Sequence, residues 1–405
     1  MCKSVGALIK AHSNMKIEVY LDLENSSPVP KEVVEEMLPY FTETSYGNPV
    51  MTHKQGWMAY ETIIQASQKI ASFIGASSPE ELTFTHDETE ANNLSIMGVA
   101  LANKDKGNKI LISEIEPLSI LYSSDIAKRN GFVVEKVPVD KEGFVDSDEL
   151  LNMVDGNTIL VSIAAINNEI GTIQSIGEIA KKIKEKNPKI LFHSDASDAY
   201  CRIPIDVKKY GLDLMTLSSF KILGPRGVGA LYVREGVRVD KLIDGPIGTQ
   251  QFWPGVENTP LIVGFRKASE LALSDFENNI SYITRLRDKL MEGMLTISET
   301  ILNGPKGKQR AADNVNISVL KCEGEALTIE LSLNGVYVSS GSACTRRLLQ
   351  PSHVLVAIGR RYEAAHGSIL MKVTRYHNEE DINYVLEVAP KAIKRIRSIG
   401  PEEGF

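Results

Sequence analysis

The chain has 405 residues, 43% of them hydrophobic and 24% charged, with 30 Gly, 17 Pro and a formal net charge of −7. That composition is globular and excludes disorder as the main state, and the length fits two domains or one large domain with a smaller one attached. Lys and Arg total 45 against 52 acidic residues with no basic cluster, which argues against nucleic acid or a membrane surface as partner. The longest apolar runs, such as 158–166, hold about nine residues where a membrane span needs roughly 20, so a soluble protein is expected. The first residues, MCKSVGALIKAHSN, do not read as a signal peptide. Cys2, Cys201, Cys322 and Cys344 are too few and too scattered for a disulfide framework or a paired zinc site. A reducing cytoplasm fits, no metal site is expected, and any working thiol would act singly.

In chain order, the runs at 109–115, 132–139, 158–166, 189–196 and 228–233 are apolar nearly throughout and predict buried strands. Ile176, Ile179, Ala180 and Ile183 recur at helical spacing with Lys and Glu opposite, which predicts a crossover helix between two of them. Strand, helix, strand in repetition gives an α/β domain with a mainly parallel sheet, its ligand site beyond the strand C-termini. From about 258 the texture changes to a long helical stretch, 261–295. Strands at 314–320 and 336–340 and helices at 354–365 and 379–398 follow, an α+β pattern. The expected division is a large α/β domain over 28–262 and a small α+β domain formed by 16–27 and 263–405.

Three places could carry chemistry. A strand end presents His193-Ser194-Asp195, where Asp195 either meets a ligand or caps the next helix. Lys221 follows 26 residues later in a Ser-flanked turn before Gly-Pro; alone it would be a solvated lysine. Together they match what pyridoxal phosphate needs, a Schiff-base lysine and an acid that keeps the pyridinium nitrogen protonated. The third is Cys344, preceded by small residues and followed by Arg346 and Arg347. It reads either as a mobile loop whose arginines favour the thiolate or as a tight turn with an inert Cys.

From Val19 to about Arg397 the chain resembles the cysteine desulfurases of the class V aminotransferase fold, and within them the iron-sulfur-cluster type. The segments YLDLENSSPVP, SYGNPVMTH, ELTFTHDETEANNL, INNEIGTIQSI, HSDASDAYCRIPIDV, LSSFKILGPRGVGALYV, NVNISV and SSGSACTRRLLQPSHVL carry the likeness in the family's order and spacing. The resemblance implies a fold type I, pyridoxal phosphate-dependent transferase. It would take sulfur from L-cysteine, leave L-alanine and hold a persulfide on Cys344 for a scaffold or acceptor protein. It further implies a homodimer. Carried over by position, Lys221 is the Schiff-base lysine, Asp195 the pyridinium partner, Asn168 the Asn beside the ring, and Thr89 and Ser218 phosphate-contacting hydroxyls. His366 and Ser368 keep the family's texture at the edge of the site.

Departures from the family pattern cluster on the cofactor. Pro117 stands where the family stacks an imidazole, and it cannot move a proton. Asp198 replaces a Gln at the ring hydroxyl, Phe220 a phosphate-binding His, Val256 a Thr given to the neighbouring subunit, and Leu370 the Arg that clamps the substrate carboxylate. A Gly-Ala-Thr phosphate turn reads Asp87-Glu88-Thr89 here. Two carboxylates about 4 Å from a phosphate would cost roughly 1 kcal/mol each in a water-like dielectric and about 4 at an effective dielectric of 20, unless both serve the helix N-terminus and face solvent. Arg375 and Arg361 are the candidates to replace the lost Arg.

Two functions follow: a cysteine desulfurase, weak or altered towards L-cysteine, or a pyridoxal phosphate-poor relative. The second would accept a persulfide or bind a partner in iron-sulfur cluster assembly, with Cys344 as a transient cluster ligand.

Overall fold

The computed structural model describes residues 17–246, 248–341 and 351–399. The Cys344 loop lies outside the described residues. Two strands open the fold before the first crossover, β1 (Val19–Tyr20) and β2 (Leu82–Thr85). They are followed by β3 (Lys109–Ser113), β4 (Val133–Val137), β5 (Thr158–Ser162), β6 (Leu191–Asp195), β7 (Leu214–Ser218) and β8 (Gly229–Val233). Strands β2 to β8 form a seven-stranded sheet in the order β2-β8-β7-β6-β5-β3-β4. Within it β8 alone is antiparallel to its neighbours.

Helices Leu118–Arg129, Ser147–Met153 and Ile176–Lys186 make the crossovers that parallel pairing requires. Apolar side chains pack on both faces of the sheet, around Val161, Phe192 and Met215 on one side and Ile112, Leu160 and Leu214 on the other. This is the fold type I α/β architecture expected. Two strand readings change. The run at 132–139 is an edge strand whose Val133 is exposed, because among the described residues no strand pairs beyond it. Leu214–Ser218, whose run is short and interrupted by Thr, is a fully buried central strand.

A second, four-stranded sheet is built from β9 (Thr300–Leu302), β10 (Asn314–Val319), β12 (Ser339–Ser340) and β13 (Ser368–Lys372), in the order β12-β13-β10-β9. Between them in sequence, β11 (Val336–Tyr337) pairs in parallel with β1. The predicted helix over 261–295 is two helices, Thr259–Leu273 and Phe276–Leu295, parted at Ser274-Asp275. The helical stretch at 354–365 is likewise His353–Ala357 and Tyr362–His366, because Gly359 takes φ +81°. A separate apolar core, with Leu290, Ile317, Leu331, Ile369 and Val385, lies under this sheet. Among the described residues no helix is long and apolar enough to cross a membrane.

Two backbone links position the site. Lys372, the last residue of β13, donates its N–H to Leu21 O at 2.9 Å, which brings the end of β13 beside the turn that follows β1. Gly171 has φ +72°, and a Cβ there would stand 2.8 Å from Asn314 Cγ. A glycine is therefore required in the turn that carries Asn168.

Candidate active site

The site lies beyond the C-terminal ends of the parallel strands, where such sheets place ligands. Asp195 ends β6 and is buried. Its Oδ2 accepts from Asn92 Nδ2 at 2.7 Å and its Oδ1 from the Ser197 N–H at 2.8 Å. It thus serves the following turn and also faces Asn92. Burial raises its pKa, against the lowering effect of these hydrogen bonds. Glu116, at the end of the β3 strand-loop, is fully buried with Oε1 on the Ala164 N–H at 2.9 Å. Its Oε2 has no partner among the described residues, and burial holds its pKa well above the carboxylate range. Pro117 then begins the helix Leu118–Arg129 as its cap, a packing position.

Ser218 ends β7 and donates to Glu88 Oε2 at 2.8 Å. The two acids of the Asp87-Glu88-Thr89 turn therefore part company. Asp87 caps its helix by accepting the Glu90 N–H at 3.1 Å, as an acid at a helix N-terminus should. Glu88 turns inward. Burial pushes its carboxyl up to about 7, opposed by the Lys221 ammonium, with Asp195 also within electrostatic reach. Thr89 is exposed on the same first turn.

Lys221 sits in the single turn Phe220–Ile222 and is 7% exposed. Its Nζ lies 2.5 Å from Glu24 Oε1 and 3.3 Å from Asp198 Oδ2. Asn168 Nδ2 donates to the same Glu24 oxygen at 2.8 Å. Arg202 packs behind, with Nη2 on Lys221 O at 2.8 Å and Nη1 on Asp198 O at 3.2 Å, and it pairs with Asp313 at 2.6 Å. Asp198 and Glu24 raise the Lys221 pKa despite its burial. Lys221 and Lys372 together hold the Asp198 carboxyl far below its usual range, although burial alone would raise it.

Of the expected residues, the structure brings Lys221, Asp195, Ser218 and Asn168 into one connected cluster, with Thr89 on its rim. Arg375 lines a cavity of about 50 Å³ with Lys221, Arg202 and Asp313, whereas Arg361 is exposed at a helix start. Ser368 donates to Ala365 O at 2.8 Å, and the His366 ring packs 4.2 Å from that of Tyr362, both local packing roles. Burial pushes the Cys201 thiol up to about 12 and also raises Cys322, so neither is a reactive thiol. Among the described residues no group of His, Cys, Asp and Glu could hold a metal ion. Sequence reasoning missed Glu24, Lys372, Glu116 and Asn92. For Lys372 a signal existed: it is two residues from Leu370 on a strand, hence on the same face.

A buried lysine and a buried aspartate at neighbouring strand ends of such a sheet define a pyridoxal phosphate-type site. The class-V aminotransferase profile matches residues 19–385. The chain is 44% identical over 383 residues to cysteine desulfurase IscS of Methanosarcina thermophila, covering 95% of this chain and 94% of that one. Among solved structures, a NifS-like protein superposes with a TM-score of 0.85 at 32% identity, covering 95% of this chain and 99% of the other. A structure described as SspA in complex with cysteine gives a TM-score of 0.78 at 30% identity, over 89% of this chain and all of the other. The chain belongs to the class-V aminotransferase family, in its cysteine desulfurase branch.

Pyridoxal phosphate is the cofactor of that branch, and the donor set fits it. Lys221 can take the aldehyde, Asp195 the ring nitrogen, Asn168 the ring edge, and Ser218 with Thr89 the phosphate. Two features of this chain act against the group. Glu88 already engages Ser218, and Lys221 is already paired.

Proposed function

We propose that the protein is a cysteine desulfurase that converts L-cysteine and the Cys344 thiol into L-alanine and a Cys344 persulfide, from which sulfur passes to an iron-sulfur scaffold or another acceptor. The atoms balance: one C–S bond breaks, one S–S bond forms, and the thiol hydrogens end on alanine and the persulfide. The observation that carries this reading is the convergence of Lys221, Asp195 and Ser218 at adjacent strand ends.

When bound, pyridoxal phosphate supplies the electron sink that lets the C–S bond cleave. Lys221 anchors the group and Asp195 holds the proton on the ring nitrogen. Asn168 orients the ring, and Ser218 and Thr89 hold the phosphate. Arg375, beside Lys221, is the candidate for the substrate carboxylate, since Leu370 is apolar and buried. Separate apolar cores around Phe192 and Ile317 support a division near residue 262, with 16–27 joining the C-terminal part. Exposed Val256, Trp57 and Tyr60 support a homodimer, and the cysteine usage supports a cytoplasmic location.

The test is to supply L-cysteine, pyridoxal phosphate and a reductant and to measure alanine and sulfide. Both are expected from the wild type, with sulfide lost in Cys344→Ala. No alanine at saturating cofactor would overturn the reading. Glu88 on Ser218 and the paired Lys221 favour a second one: a pyridoxal phosphate-poor protein whose Cys344 accepts a persulfide or binds within an iron-sulfur assembly. Capture of a scaffold protein by a chain that makes no alanine would select it.

A further inference from the structure

Four charged side chains close a ring inside the site. Glu24 places Oε1 2.5 Å from Lys221 Nζ and Oε2 2.5 Å from Lys372 Nζ. Asp198 places Oδ2 3.3 Å from Lys221 Nζ and pairs through Oδ1 with Lys372. Each carboxylate therefore spends one oxygen on each lysine. The four side chains are between 2% and 12% exposed, so the two positive and two negative charges satisfy one another where water cannot. The ring joins parts of the chain far apart in sequence: the turn after β1, the turn after β6, the Lys221 turn and the end of β13.

We infer that Glu24, Asp198 and Lys372 form a latch on the cofactor lysine. They hold Lys221 as an ammonium in a state that is complete without pyridoxal phosphate, and the cofactor attaches only when Lys221 leaves the ring. The inference rests on the reading of Lys221 as the cofactor lysine.

Attachment needs the Nζ lone pair. The ammonium must give one proton to solvent, its nitrogen must bond to the aldehyde carbon, and the aldehyde oxygen must depart as one water molecule; no electrons are gained or lost. The ring opposes this twice. Glu24, Asp198 and Glu88 face Lys221 with negative charge, which outweighs the opposing Lys372 and Arg202 cations and favours the ammonium. Once Lys221 has left, the ring itself holds two buried carboxylates against the single ammonium of Lys372, one negative charge in excess. Asp198 thereby acquires a role as the second acid of the ring. Lys372, on the face of β13 that carries Leu370, returns a cation to that face and commits it to the chain's own acids.

The test uses the full-length protein freed of cofactor. Pyridoxal phosphate is added, visible absorbance is followed, and borohydride reduction with peptide mass analysis reports occupancy at Lys221. The comparison is E24Q/K372M, which removes one charge of each sign and leaves Lys221 with Asp198. Incorporation at neutral pH is expected to be at least tenfold faster or tighter in that variant. Lys221→Met, measured in urea without cofactor, is expected to unfold at clearly lower denaturant than wild type, because it breaks the ring; a lysine merely waiting for cofactor would not behave so. Equal incorporation by wild type and E24Q/K372M, or an unchanged urea midpoint for Lys221→Met, would overturn the latch. A variant that loads tenfold better yet makes no alanine keeps the latch and removes the desulfurase reading. A wild type fully loaded as purified and active on cysteine keeps that reading and removes the latch.

Discussion

Lys372→Met tests whether the ring stabilises the fold as well as restraining Lys221. The lysine side chain is 2% exposed and bridges two acids that are 12% and 6% exposed, so solvent screening gives no reason to discount the interaction. Among the described residues, removing it leaves Lys221 as the one cationic side chain paired with Glu24 and Asp198, beside the Asn168 amide on Glu24. Breaking a buried pair from one side costs about 3–5 kcal/mol, a large share of the roughly 5–15 kcal/mol that holds a typical domain folded. Met keeps most of the volume, so the loss is electrostatic and not a cavity. Urea unfolding of Lys372→Met, Glu24→Gln and the double variant completes a cycle. Each single change should cost several kcal/mol, and the double should recover about half or more of their sum, because the charges are removed together. Lys31→Met is the control, since its pair with Glu35 is 85% and 57% exposed and its loss should leave the midpoint unchanged. A Lys372→Met cost below about 1 kcal/mol, or an additive cycle, would refute the ring as a structural element.

Glu88→Gln should tighten pyridoxal phosphate binding about tenfold, a little over 1 kcal/mol, because the carboxylate on Ser218 repels a phosphate. Since burial raises this acid to about 7, it is neutral below that pH and charged above it. The advantage of Glu88→Gln in titrations should therefore grow as pH rises through 7, and a constant ratio would count against the role. His193 lies buried between Ser162 Oγ at 2.8 Å and Thr216 Oγ1 at 3.1 Å, and burial lowers it to about 3. The unfolded chain takes up its proton near pH 6.5, so wild type should lose about 2 kcal/mol between pH 7 and 5 that His193→Gln does not lose; equal acid sensitivity in urea titrations would contradict this. Gly171→Ala forces a Cβ against Asn314 at positive φ and should cost at least ~1–2 kcal/mol in the same assay, an unchanged midpoint being the contrary result.

Much of the fold was legible because parallel strands are buried on both faces and leave continuous apolar runs, as at β5 and β6. β7 was not, since Leu-Met-Thr-Leu-Ser is short and carries two hydroxyls, yet it is central because β6 and β8 pair on either side of it. The edge position of β4 was signalled only by Glu135 and Lys136 inside an otherwise apolar run, and the sheet order decides what lies beside it. Lys221 and Asp195 could be read because one chemistry needs both types at strand ends. Glu24 could not, because it meets Lys372 across 348 residues; the spacing of Lys372 from Leu370 gave its face of the strand but not its partner.

The three acids that depart from the family pattern, Asp87 and Glu88 at the phosphate turn and Asp198 in place of a Gln, do different work, and burial separates them. Asp87 remains at the helix start, where its charge meets backbone N–H groups. Glu88 enters the site and takes the Ser218 hydroxyl. Asp198 meets two ammonium groups, one of them on β13. An acid added to an anion site lowers affinity by Coulomb repulsion alone, but an acid added together with a buried cation also creates a neutral state that competes with the ligand. Glu24, Asp198, Lys221 and Lys372 make up such a state. Neutralising single acids should therefore release cofactor binding only at the expense of stability, whereas removing a charge of each sign should release it with the fold intact. That difference separates a site that merely repels its cofactor from one that has replaced it.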